Sequence, residues 1–306
     1  MAHHNFIPKY YHVTIGSHDP VLYISPGDSV TTTTVDARGR DFTGEQITER
    51  GNPMTGPFFV EGAEIGDALV VRFDRLWPNR NWGFSGTTIA PNVLDPGYNS
   101  KVDTDVETCK WSVDLEEGNA RLVEPETKLS QLDLPISPML GCFGVAPPRG
   151  QAISTATSST YGGNMDYRGF VQGTTVFLPV AEPGALFHLG DGHALQGDGE
   201  IVGTGIEISF DVTFSVDLMK ESNIVWPRAE NETHIMVAGN ARPLDQCVQH
   251  ATTELVKWIE VDYGLAPLDV HQILGQFVEY DMGNVYDPAY TMICKIEKKI
   301  LERVCQ

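Results

Sequence analysis

Twelve consecutive residues, Leu189-Gly190-Asp191-Gly192-His193-Ala194-Leu195-Gln196-Gly197-Asp198-Gly199-Glu200, carry three carboxylates, one imidazole and one amide among four glycines. Read as extended chain, positions 191 and 193 project to one face, and so do 198 and 200, because side chains alternate with a period of two. An imidazole among carboxylates on converging backbone is a donor set for a hard or borderline divalent cation, and it suits proton transfer equally well. The same composition also makes polar hairpin turns, since Asp-Gly pairs are common turn chemistry.

A second cluster, Tyr161-Gly162-Gly163-Asn164-Met165-Asp166-Tyr167-Arg168, lies some thirty residues earlier with a strand pattern between. Asn164 and Asp166 share parity, so both can face one pocket, and adjacent placement of the two clusters on one sheet would make a shared site. Taken alone, Gly-Gly-Asn-x-Asp also reads as a loop. Asp36 and Glu61 could join the site or serve as solvated capping groups. His3 and His4 sit at a terminus expected to fray, and His12, His18, His188, His234, His250 and His271 have no partners at ligand spacing. The chain has no HExxH, P-loop or GxSxG signature. Gly197 to Gly203 is one residue too long for a dinucleotide fingerprint, so no nucleotide cofactor is expected. Cys142, in Gly141-Cys142-Phe143-Gly144, reads either as a thiol nucleophile or as a small buried apolar residue.

Elements that would position these groups follow from the pattern. Val21-Leu22-Tyr23-Ile24 runs into the turn Ser25-Pro26-Gly27-Asp28, and a Thr-rich strand follows from Ser29 to Val35. Phe58-Phe59-Val60 and Ala68 to Phe73 flank the turn Glu64-Ile65-Gly66-Asp67. Thr174 to Val180 and Ile206 to Phe214 are further strands, the latter clearly alternating. Residues 77–105, rich in Pro, Gly, Asn and Trp, read as a long loop, either a pocket wall or lid or a plain surface excursion. Pro243 then opens a helical pattern through Ile259, Pro267 opens a shorter one from Leu268 to Val278, and Tyr290 to Ile296 is a last strand. The expected architecture is mainly β: a sandwich or barrel body over residues 1–220 carrying the site, with an α+β part over 221–306 packed upon it.

Composition narrows the function. The 306 residues include 21 basic and 41 acidic ones, a formal charge of −20. Such a surface repels phosphate backbones and anionic lipid, so nucleic acid and membrane are not expected partners, whereas a small neutral ligand is tolerated. No secretory signal pattern is visible at Met1 to Pro8, and no apolar run reaches the ~18 residues of a membrane span. Five widely spaced cysteines without a CxxC form neither a disulfide framework nor a thiolate zinc site. A reduced, cytoplasmic setting is the expectation.

The two glycine-rich clusters, with Gly56-Pro57-Phe58-Phe59-Val60-Glu61-Gly62-Ala63-Glu64-Ile65-Gly66-Asp67, resemble the acetamidase/formamidase family. The likeness also takes in Pro26-Gly27-Asp28, Val35-Asp36-Ala37, Gly144-Val145-Ala146-Pro147 and Asp287-Pro288-Ala289-Tyr290. It implies a cytoplasmic hydrolase of short linear amides, releasing ammonia and a carboxylate, on a β-sandwich or barrel with an α+β portion. It further implies a homo-oligomer, with a dimer favoured. Two departures stand out: Cys142 occupies a position usually aliphatic, which argues against a family-wide thiol mechanism, and residues 77–105 diverge, which leaves the amide open.

Amide hydrolysis needs an activated nucleophile, oxyanion stabilisation and a proton for the leaving amine. The expected arrangement is a divalent cation, zinc first and calcium second, held by Asp166 and His193 with Asp36 or Asp191 completing the set. Catalysis is assigned to Glu200 as base and then acid, with Asp166 and His193, and substrate binding to Asn164 and Gln196. The alternatives are a metal-independent amidase using Cys142 or a serine of Ser158-Ser159, and a non-catalytic β protein that binds a cation or small ligand.

Overall fold

The computed structural model describes residues 1–98 and 106–305. Its largest element is a nine-stranded sheet ordered His3–Asn5, Ser29–Thr33, Phe210–Met219, Ala68–Pro78, Thr175–Pro179, Arg228–Glu230, His234–Ala241, Tyr290–Glu297 and Glu279–Asn284. A six-stranded sheet runs Ser158–Ser159, Gly162–Asn164, Met139–Gly144, Phe187–His193, Thr55–Val60 and Leu22–Ile24. The alternating strands bury one face, as Ser29–Thr33 and Phe210–Met219 do, whereas Phe187–His193 is buried on both.

The two sheets meet through aromatic side chains. Phe58 and Phe187 of the smaller sheet approach Phe214 of the larger edge-on, with ring centroids 5.2 and 5.4 Å away, and Phe73 meets Phe143 at 5.1 Å. Such pairs contribute about 0.5–1.5 kcal/mol each beyond the apolar area they bury. The body is thus a sandwich, as the alternation led us to expect. Its core is this interface.

Helices α1 (Leu244–Asp262) and α2 (Pro267–Phe277) begin at or just after the prolines identified above, and a short α3 (Lys298–Val304) follows the last strand. Leu255, Trp258 and Ile259 of α1 cover Ile235, Val237, Cys294 and Ile296 of the large sheet as a second apolar cluster. At Gly239 a Cβ would lie 2.7 Å from the Ala251 nitrogen, so glycine is what lets α1 lie flush on the strand. The division expected at residue 220 falls between two strands of one sheet, Phe210–Met219 and Arg228–Glu230.

Three local expectations change. Regular pairing in the alternating run starts at Phe210; Ile206 to Ser209 are all buried, and Glu207 bridges instead to Phe84 and His193. Within 77–105, Ala68–Pro78 extends past Trp77, and Trp82–Ser85 is a strand paired with Cys109–Asp114. Phe84 from it exchanges backbone hydrogen bonds with Glu207, so this part walls the interior; residues 99–105 lie outside the described residues. The N-terminus does not fray: His3–Asn5 pairs in parallel with Ser29–Thr31, and His4 Nε2 lies 3.0 Å from Asp28.

Candidate active site

Asp191 and His193 leave one face of the strand Phe187–His193, while Gly190 and Gly192 on the other face meet Met54 and Phe210. Asp166 follows Gly162–Asn164, which is separated from Phe187–His193 by the strand Met139–Gly144, and Glu200 sits in the turn beyond His193. Asp166, Asp191 and Glu200 all have left-handed backbone, with φ of 45, 60 and 49°. That region costs a non-glycine residue roughly 1–3 kcal/mol and persists only where the surroundings impose it. Three such residues, all carboxylates, converge here.

The imidazole is held from behind. His193 Nδ1 lies 2.7 Å from Gln196 Oε1, and Gln196 Nε2 donates to the Asp166 carbonyl at 2.6 Å. Because the amide nitrogen is committed to a carbonyl, its oxygen accepts from Nδ1–H, which makes Nε2 the lone-pair end of the neutral imidazole. Nε2 lies 2.8 Å from Glu207 Oε1, 3.4 Å from Asp191 Oδ1 and 3.9 Å from Glu200 Oε1, yet it makes no aligned hydrogen bond. Asp166 Oδ1 and Glu207 Oε2 are likewise buried without a hydrogen-bond partner among the described residues.

Asn284 closes the far side from the edge strand Glu279–Asn284. Its Oδ1 accepts from the Tyr286 and Asp287 amides, so its Nδ2 must face inward, 2.6 Å from Asp166 Oδ2, 2.6 Å from Asp287 Oδ2 and 3.4 Å from Glu200 Oε2. Asn164 Nδ2 reaches the same Asp287 oxygen at 2.5 Å.

Electrostatics follow from this crowding. Burial, then the repulsion of neighbouring carboxylates, lifts Asp166 and Glu200 well above the ordinary carboxylate range, the latter despite His193. Glu207 is pushed up to about 7 by burial, partly offset by His193. Burial acts on Asp191 too, but attraction to His193 and hydrogen bonds outweigh it and hold that carboxyl low. His193 is raised despite burial, by Glu207 and Asp191. A buried anionic cluster is costly until a cation joins it.

The donor set fits a divalent ion. Ligand atoms of Asp166, Asp191 and His193 lie within 4.8 Å of one another, as do those of His193, Glu200 and Glu207, and of Asp166, Glu200 and Asp287. Orphaned oxygens, and an imidazole whose other nitrogen is tied by an amide, are what a metal centre requires of its surroundings. Space is kept by Gly141, whose added Cβ would collide with Asp166 Oδ1 and lie 2.5 Å from Asp191 Oδ2.

Not every expected residue joins. Asp36 is engaged elsewhere: its carboxylate accepts from Arg80 at 2.9 Å and from the amides of Arg38 and Arg40, and it belongs to none of these groups. Gln196 spends its amide on His193 and Asp166, and Asn164 on Asp287 and Asn52, so both position protein groups rather than standing open to substrate. Asp198 pairs at the surface with Arg168, and Glu61 with Ser25. Cys142 is fully buried, its thiol is raised by burial, and it points to the Thr155 carbonyl. Ser158 Oγ has no partner that could act as its base.

Glu207, Asn284, Asp287 and Asn52 went unrecognised as site residues in the sequence. Glu207 was hidden because its alternating run reads as a half-exposed strand. Asn284 and Asp287 lie over eighty residues from the acidic loop, and the one signal was the Asp287-Pro288-Ala289-Tyr290 motif.

A β-sandwich with an acidic, imidazole-bearing centre between its smaller sheet and the edge of its larger one defines the class. Residues 149–246 match the model of the acetamidase/formamidase family. The fold is similar to that of an acetamidase from Yersinia enterocolitica, with a TM-score of 0.83 and 32% identity over 98% of this chain and 93% of that one. The chain belongs to the acetamidase/formamidase family. It is also 27% identical to an acetamidase of Mycolicibacterium smegmatis over 62% of its own length and 25% identical to a formamidase of Methylophilus methylotrophus over 55%. These alignments span 59% and 52% of those two proteins, so the chain matches just over half the length of each.

Proposed function

We propose that this protein hydrolyses short linear amides of the formamide or acetamide kind to ammonia and a carboxylate, with a divalent cation, zinc first and calcium second, held by Asp166, Asp191 and His193. The observation that carries the reading is His193: Nδ1 is tied by Gln196, while Nε2 faces three carboxylates without an aligned hydrogen bond. A cation bound there would supply Lewis-acid chemistry and a water nucleophile at neutral pH.

The chain's own residues do the rest. Glu200, lifted by burial, holds a proton near neutrality better than an ordinary carboxylate. It takes a proton from the attacking water and returns it to the departing nitrogen, work typically worth 10²–10⁴-fold. Gln196 and Asn284 fix the tautomer of His193 and the orientation of Asp166 respectively. The cysteines form no disulfide among the described residues, which supports a reduced, cytoplasmic setting. The family likeness supports assembly from identical copies, with a dimer first. Stripping the protein with a chelator should abolish ammonia release from acetamide and formamide, and added zinc should restore it. Full turnover in rigorously metal-free protein would refute the proposal.

A further inference from the structure

At the rim of the cluster lies Asn52, whose backbone N–H donates to the Ala37 carbonyl and whose φ of 62° is one that asparagine tolerates better than most side chains. Its amide orientation is forced by a chain of neighbours. Asn284 must present Nδ2 inward, because its oxygen accepts two backbone amides. Asp287 Oδ2 therefore accepts from Asn284, and the atom of Asn164 beside that oxygen must be its nitrogen. The oxygen of Asn164 then faces Asn52, so Asn52 turns its NH2 that way, at 2.9 Å. What remains is Asn52 Oδ1, buried and without a hydrogen-bond partner among the described residues. Through Asn164, which donates to the Asp287 carboxylate beside Asp166 and Glu200, Asn52 borders the reacting centre.

We propose that Asn52 is the residue that reads the substrate's N–H, its free amide oxygen accepting a hydrogen bond from the –NH2 of a primary amide. The rest of the rim is unsuited to this. Asn164 and Gln196 have both ends committed, and Asn284 presents donors only. A buried acceptor left empty costs about 1–3 kcal/mol, so a ligand that offers an N–H gains over one of the same shape that does not. The ligand class is a carbonyl compound with a free amide N–H, in preference to an ester with the same acyl group. This inference rests on the amide-hydrolase reading above.

The test compares acetamide with methyl acetate on the full-length metal-loaded protein, the ester read as a competitive inhibitor of amide turnover. Asn52→Gly keeps the left-handed backbone unstrained while removing the side chain, and a melting curve establishes that it folds. The expected result is a rise of about 10- to 100-fold in KM for acetamide with the Ki of methyl acetate unchanged. Asn52→Ser, which returns a shorter acceptor, should recover part of the loss. Equal changes for amide and ester, or no change in either, would overturn the role of Asn52 while leaving amide hydrolysis intact. Absence of ammonia release from any amide by the unmodified protein would overturn both.

Discussion

Two regions of this molecule bury carboxylates, and they do so on opposite terms. Under α1, Glu254 is almost fully buried and accepts from Arg228 Nε and a terminal guanidinium nitrogen at 2.9 and 2.7 Å, with Trp258 stacked against the guanidinium. The charge there arrives with its counter-charge, both supplied by the chain. At the sandwich site, Asp166, Asp191, Glu200, Glu207 and Asp287 share one imidazole; after burial, Asp166 is governed first by Glu200, Asp191 and Asp287, and Glu200 by His193 and then by Asp287, Asp191 and Glu207. Asp36 with Arg80 repeats the first pattern a short way off. The contrast separates structural charge, completed by the chain's own guanidinium groups, from a carboxylate cluster that the chain itself answers with one imidazole.

Carboxylate-to-amide changes should therefore have opposite consequences in the two places. Glu200→Gln should lower kcat by about 10²–10⁴-fold, and its melting temperature should not fall, because the change strands no guanidinium and relieves repulsion among neighbouring carboxylates. Steady-state ammonia release and calorimetry on the same preparation check both halves. Glu254→Gln should do the reverse, costing about 3–5 kcal/mol of stability by stranding Arg228 while leaving KM for acetamide unaltered in the folded fraction; denaturant titration reads it.

The gentlest probe is pH. Asp166, Glu200 and Glu207 have folded pKa values raised above their unfolded ones. Their favourable contribution is thus complete below the unfolded pKa and is lost as pH rises through the folded value. For Glu207 the window runs from 4.5 to about 7. His193, also raised, adds a loss in the same direction; Asp191, held low, opposes them only in acid. Metal-stripped protein should melt progressively lower from pH 5 to 8, and saturating zinc should flatten that slope. A metal-free melting temperature that climbs across this range would contradict the sign.

How much of this was legible beforehand depends on distance along the chain. The glycine-rich segments around Asp166 and Asp191 advertise chemistry because carboxylates, an imidazole and turn residues crowd a few positions, and the intervening strand pattern made their meeting plausible on one sheet. The alternation of Ser29–Thr33 and the prolines before α1 and α2 likewise carry local physics that survives folding. Pairings between remote residues carry no such mark. Arg80 neutralises Asp36 from forty-four positions away, and nothing periodic connects them. Gln196 and Asn164 were recognisable as amides at a site, but the partners that occupy them are set by three-dimensional neighbours. Glu207 shows how a regular pattern misleads, since the strand that it suggests begins three residues later.

The strand Glu279–Asn284 ends the large sheet and is exposed over much of its length; among the described residues it pairs with one strand, and its outer edge is held only by a backbone bridge to Gly199. Yet it delivers Asn284, and through it Asp287, to the reacting groups. Peeling back this single border would scatter those residues while the phenylalanine seam between the sheets stayed shut. Fraying of this margin, ahead of global unfolding, is accordingly the expected first way to dismantle the carboxylate cluster.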